Sequence, residues 1–131
     1  PFYETMSNPD EAAWMKWQED NSKLKTKWAS FFKQYDFLIC PITYGPAFKK
    51  CAKGTPIKVD GTTVSYFNYA PYTTIINPTE SPSLTIPLGL TEEGLPVAVQ
   101  IIGPPFSEPE LLYFAKLIKP LTAGFVRPNG L

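Results

Sequence analysis

The sequence predicts an α/β fold, and three observations predict it. Apolar residues recur at three-four spacing through Trp14, Trp17, Leu24, Trp28, Phe31 and Tyr35, the mark of one helical face. A short, wholly apolar run, Phe37-Leu38-Ile39-Cys40, follows at once and is stopped by Pro41, as a buried strand would be. Two further runs rich in β-branched and aliphatic residues, Ser83 to Ile86 and Val97 to Ile102, are joined by the polar turn Thr91-Glu92-Glu93-Gly94.

Taken in order, residues 1–8 read as an irregular lead-in and residues 9–35 as a helix. Asn8 is placed to cap it, Pro9 suits the first turn, and Glu11 sits at the capping-box position. Asn21 interrupts the apolar stripe, so a kink or two shorter helices around Asp20-Asn21-Ser22 is the alternative to one continuous helix. The stripe itself reads as core, with Lys16, Glu19, Lys23, Lys27 and Lys33 on the solvated face. Residues 36–119 form the strands and helices of a sheet core. Ile42 to Ala47 is the loop after its first strand, and in open α/β sheets such loops bind ligands. Ile57-Lys58-Val59 and Thr62-Thr63-Val64 flank Asp60-Gly61, the signal for a tight hairpin. Tyr66 to Ile76 is aromatic-rich and is expected to be helix broken by Pro71, with Asn77 to Pro82 as a turn. Ser107-Glu108-Pro109-Glu110 is a second capping box, opening a helix to about Ile118 whose apolar face is Leu111, Leu112, Ala115 and Ile118. Pro120 stops it, and residues 120–131 read as a tail. Only about three of these strands look like core sheet strands, so the chain reads as a portion of a larger sheet.

Composition narrows the chemistry. The chain has 131 residues, 44% of them hydrophobic, which permits a packed core and opposes disorder. Lys plus Arg and Asp plus Glu are 12 each, so no global field draws it to nucleic acid or to an anionic membrane. No apolar run is long enough to span a bilayer, and Pro1-Phe2-Tyr3-Glu4 does not start a secretory signal. The absence of an initiator Met fits a chain cut from something longer. There is no histidine, so Ser-His-Asp and Cys-His catalysis have no base here. Cys40 and Cys51 make neither a disulfide scaffold nor a zinc site, and two reduced thiols fit a cytoplasmic protein. No G-x-G-x-x-G or P-loop occurs.

The remaining constellations each have a plainer explanation. Ser30-Phe31-Phe32-Lys33 matches S-x-x-K, but the flanking elements of that machinery are missing. Glu92-Glu93 lies in a turn and Glu108/Glu110 in a helix start, where acidic residues need no catalytic reason. Lysines interleaved with Trp28 and Phe31 evoke a nucleic-acid stacking face, but at helical spacing they fall on the opposite side from the aromatics.

From Tyr35 to about Lys119 the chain resembles the C-terminal part of the amidase signature family, which includes amidases and enzymes like fatty acid amide hydrolase. Tyr35 to Thr43 is similar to the family's strand leading into a Pro-x-Thr loop, continued by Gly45-Pro46-Ala47-Phe48. Asn77 to Pro82 is similar to its Asn-x-Thr-Gly-x-Pro turn. Pro87-Leu88-Gly89-Leu90 and Gly94 to Gly103 resemble its most recognisable C-terminal signature. Glu80 stands where the family usually has glycine, and Ala98 where glycine is common. The resemblance implies an α/β/α fold with a mixed sheet flanked by helices. It implies hydrolysis of carboxamides with no metal and no cofactor, by a lysine, a serine bridging through a cis peptide and a nucleophilic serine. The Gly-Ser-rich loop that carries that triad has no counterpart among these residues, so no catalytic residue is assigned. The expected contribution is sheet strands and a pocket wall, with Thr43 and Tyr44 in the loop and Tyr72 and Thr73 in the aromatic segment as substrate-binding candidates. The expected partners are the N-terminal portion of the same amidase, or a separate subunit supplying it, and a small amide substrate. A non-catalytic binding or docking module that keeps this architecture is the alternative reading.

Overall fold

The computed structural model describes residues 10–125 and 127. Helix α1 spans Glu11–Phe31 without a break, so the interruption at Asn21 does not kink it. Asn8, Pro9 and the lead-in lie outside the described residues; the cap among those described is Asp10, whose carboxylate accepts from the Ala13 N–H at 2.7 Å. Strand β1 is Leu38–Pro41, and β2 (Ile57–Val59) and β3 (Thr62–Val64) form the expected hairpin. Asp60 and Gly61 both have positive φ, 47° and 76°, as a type I′ turn demands.

The aromatic segment folds differently from expectation. Tyr66–Asn68 is a short 3₁₀ turn, and Pro71 opens helix α2 (Pro71–Ile76) rather than breaking one. At the first helical position proline's missing N–H is no loss. A further 3₁₀ turn, Asn77–Thr79, ends at Glu80, which is left-handed with φ 58°. That backbone favours glycine, which is the physical reason for the glycine in the family's turn.

Strands β4 (Ser83–Leu90) and β5 (Pro96–Ile102) are longer than the two runs that predicted them. The irregularity between Pro87 and Gly89 lets β4 carry a proline without losing the ladder. The sheet order is β1-β5-β4, and every pairing among the described residues is antiparallel. Helix α3 (Glu108–Ile118) lies on one face of this sheet. There Leu111 meets Ile86 and Ile101, and Phe37 stacks on Phe114 at 5.0 Å. The second capping box does not form. The Ser107 hydroxyl donates instead to the Pro104 carbonyl at 2.6 Å, inside the turn that brings the chain from β5 to α3.

Burial is where structure and sequence part most. Among the described residues six apolar side chains are buried: Ile57, Ile76, Ile86, Ile101, Ile102 and Leu111. Ile101 and Ile102 point to opposite faces of β5 and are both wholly inaccessible, so the C-terminal end of that strand is covered on both sides. The helical stripe expected to be core is not: α1 buries no residue, and Trp14 is 43% exposed. The helix is held at one end through the 77–81 turn, where the Trp28 indole N–H donates to the Ser81 hydroxyl and Lys25 pairs with Glu80, both at 2.7 Å. Strand β1, expected to be buried, is an edge strand with Ile39 exposed. Leu112, expected on the packed face of α3, is exposed, together with Tyr113 and Leu117. An apolar helix face, an aromatic stripe and open sheet edges are what a sheet shows when its neighbours lie beyond the chain. Among the described residues no helix is long and apolar enough to cross a membrane.

Candidate functional site

The loop after β1 and the segment around α2, far apart in sequence, form one structure. The Tyr44 N–H donates to the Tyr69 carbonyl at 3.0 Å. The Tyr69 hydroxyl returns a hydrogen bond to the Pro46 carbonyl at 2.6 Å. The Tyr44 and Tyr72 rings meet edge to face at 5.8 Å, and Phe48 meets Tyr69 in the same way at 5.0 Å. Three of the four substrate-binding candidates take part in this arrangement or line its cavity, and the fourth stands beside it. Thr43 lines an open cavity of about 450 Å³, and its hydroxyl donates to the Gly45 carbonyl at 2.6 Å, fixing the loop's bend. Tyr44 and Tyr72 pack against each other and are not among the cavity's lining residues. Thr73 is spent locally, its hydroxyl donating to the Ala70 carbonyl at 3.0 Å in the first turn of α2.

The cavity is walled by Pro41, Ile42, Pro46, Phe48, Tyr69 and Val97, among others. None of the described side chains lining it is charged, so its recognition rests on shape, apolar contact and backbone groups. Burial alone raises the Tyr69 phenol above its ordinary range, so the hydroxyl stays protonated and keeps donating. Tyr69 escapes sequence reasoning, because one more tyrosine in an aromatic-rich segment carries no period or motif. Gly45 belongs to the Gly45-Pro46-Ala47-Phe48 motif, and the structure supplies its reason. Its φ is not in the left-handed region; a Cβ there would come 3.0 Å from the Tyr69 hydroxyl oxygen.

The other candidate chemistry does not survive the geometry. The Ser30 hydroxyl donates back to the Thr26 carbonyl at 3.0 Å on an exposed helix face, so it is not activated by Lys33. Cys40 and Cys51 are both free. Cys40 accepts from the Gln100 amide at 3.3 Å, and the same amide donates to the Pro41 carbonyl at 3.1 Å, stitching β5 to β1. Burial raises the Cys40 thiol more than the Gln100 contact lowers it, which is the wrong direction for a nucleophile. Among the described residues no three His, Cys, Asp or Glu side chains cluster as metal ligands would.

Comparison with known proteins places this architecture. The profile of the Amidase family matches residues 3–112. The chain belongs to the amidase family. The match takes in helix α1, which the sequence resemblance from Tyr35 onward did not cover. Over 84 residues the chain is 42% identical to a glutamyl-tRNA(Gln) amidotransferase subunit from Treponema denticola, covering 64% of this chain and 16% of that protein. It is 33% identical over 105 residues to the same subunit from Thermodesulfovibrio yellowstonii, covering 80% of this chain and 20% of that one. The crystal structure of that subunit from Thermotoga maritima superposes on 86% of this chain with a TM-score of 0.70 and 26% identity, using 23% of its own length. A crystallised amidase superposes on 87% with a TM-score of 0.77 at 16% identity, a likeness of fold. The chain thus spans about a fifth of the curated relatives it matches. The open edges and uncovered apolar faces are those of one part of an amidase fold.

Proposed function

We propose that this chain is the C-terminal portion of an amidase that hydrolyses carboxamide bonds by acyl transfer, and that it supplies sheet strands and a wall of the substrate pocket. In this reading the Ser–cis-Ser–Lys triad lies outside residues 1–131. A serine Oγ attacks the amide carbonyl carbon, and its proton passes through the bridging serine to the lysine. Backbone N–H groups hold the oxyanion. The C–N bond then breaks, the amine leaves with the relayed proton, and water attacks the acyl ester to release the acid. The observation that carries the reading is the junction of the 43–48 loop with Tyr69 and Tyr72, an uncharged cavity wall on a framework that superposes on amidases.

The test begins with the codons upstream of Pro1. The reading expects an open reading frame there with a Gly-Ser-rich loop. The intact protein should hydrolyse carboxamides, lose turnover when the loop's nucleophilic serine is changed to alanine, and need no metal. Residues 1–131 alone should be inactive. Amide turnover by residues 1–131, abolished by Ser30→Ala, would overturn the proposal. An intact protein of this fold that binds amides without turnover would support the docking-module alternative instead. A cytoplasmic location belongs to the same proposal, and cell fractionation checks it.

A further inference from the structure

We infer that Tyr69 is the positioning residue of the pocket, and that the pocket it shapes receives an uncharged, apolar acyl or aryl group. This deepens the functional reading above and rests on it for the link to hydrolysis. Three contacts converge on one side chain and its own backbone. The hydroxyl holds the Pro46 carbonyl, the carbonyl holds the Tyr44 N–H, and the ring supports Phe48. Tyr69 therefore grips the loop on both sides of Gly45. The residue between those two anchor points is the one whose missing Cβ leaves room for the hydroxyl. Held this way, the loop presents Pro46 and Phe48 toward Val97 at the start of β5. An ammonium or carboxylate on a ligand would find no counter-charge among the described residues of this wall, and would lose hydration there without gaining an ion pair from it. A flat or aliphatic neutral group meets no such penalty.

The experiment measures equilibrium binding of two amide probes by calorimetry, the uncharged benzamide and the zwitterion L-glutamine, to the intact protein with its nucleophilic serine changed to alanine so that neither probe is consumed. Benzamide should bind and L-glutamine should bind more weakly. Tyr69→Phe keeps the ring and removes the hydroxyl, and should weaken benzamide about fivefold, the worth of one partly exposed hydrogen bond. Gly45→Ala should weaken it too in the Tyr69 background, but add little in the Tyr69→Phe background, where the oxygen it crowds is gone. In turnover, with that serine in place, KM for benzamide should rise with Tyr69→Phe while kcat stays within about twofold, since the residue shapes the pocket and touches no reacting atom. Equal benzamide affinity in wild type and Tyr69→Phe, additive effects of the two substitutions, preference for L-glutamine, or no binding of either probe would each overturn the inference. Binding with the expected pattern but no turnover would leave it standing and sink the hydrolase reading.

Discussion

Gly103→Ala is the substitution whose effect the structure specifies most closely. Gly103 is buried where β5 ends and the turn to α3 begins, with its N–H donating to the Pro82 carbonyl at 3.1 Å. An added Cβ would run into the Ser107 hydroxyl oxygen, with Ser107 Cβ at 3.3 Å and Leu111 Cγ at 3.4 Å beside it. The hydroxyl cannot simply step aside, because it donates to the Pro104 carbonyl. Rotating it away forfeits that hydrogen bond, about 0.5–1.5 kcal/mol. Pressing a methyl toward Leu111, one of the buried apolar side chains, adds the overpacking cost of about 1–3 kcal/mol. The sum is about 1.5–4.5 kcal/mol of lost stability, read as a lower midpoint in urea unfolding at unchanged slope. Ser107→Ala alone also forfeits the Pro104 hydrogen bond, so the double substitution should cost less than the sum of the two single ones. A Gly103→Ala protein within about 0.5 kcal/mol of wild type would refute the reasoning.

Glu80 tests the left-handed turn. Glycine there relieves about 1–2 kcal/mol of backbone strain but loses an exposed ion pair with Lys25 and adds freedom to the unfolded chain. Glu80→Gly should therefore unfold in urea within about 0.5 kcal/mol of wild type, while β-branched Glu80→Val should lose about 1–2 kcal/mol. Cys51 should alkylate with iodoacetamide well before Cys40, which burial holds as the neutral thiol. Because the folded Cys40 and Tyr69 pKa values both lie above their unfolded ones, near 9.0 and 10.0, the unfolded chain gives up these protons first as pH rises. Their contribution is intact below those values and is lost through the alkaline range, so urea midpoints should fall above about pH 9, less so in Tyr69→Phe.

What the sequence made legible was local. The hairpin at Asp60-Gly61 and the extents of β5 and α3 follow from turn chemistry and periodicity, which act over a few residues. Ser107 shows the limit. Its pattern reads as a capping box, but the hydroxyl goes to Pro104 because the turn out of β5 offers a carbonyl there. Gly103 and Gly45 are glycines for the space they leave, and that space is taken up by residues no periodicity connects to them. The aromatic stripe of α1 was legible as apolar but not as unburied, since burial depends on what stands opposite. At the candidate site the loop and the aromatic segment were each visible in the sequence. Their junction through Tyr69 was not, because it is a product of the fold.

The central claim is that the exposed apolar faces of this chain are covered by the rest of an amidase fold. Hydroxyl-radical footprinting with mass spectrometry tests it directly, comparing Trp14, Phe106, Tyr113 and Leu117 in residues 1–131 alone and in the intact protein. All four are exposed in this chain, Phe106 at 92%. The expected result is that the intact protein shields Trp14, Tyr113 and Leu117 several-fold. Equal oxidation of these side chains in the two samples would contradict it.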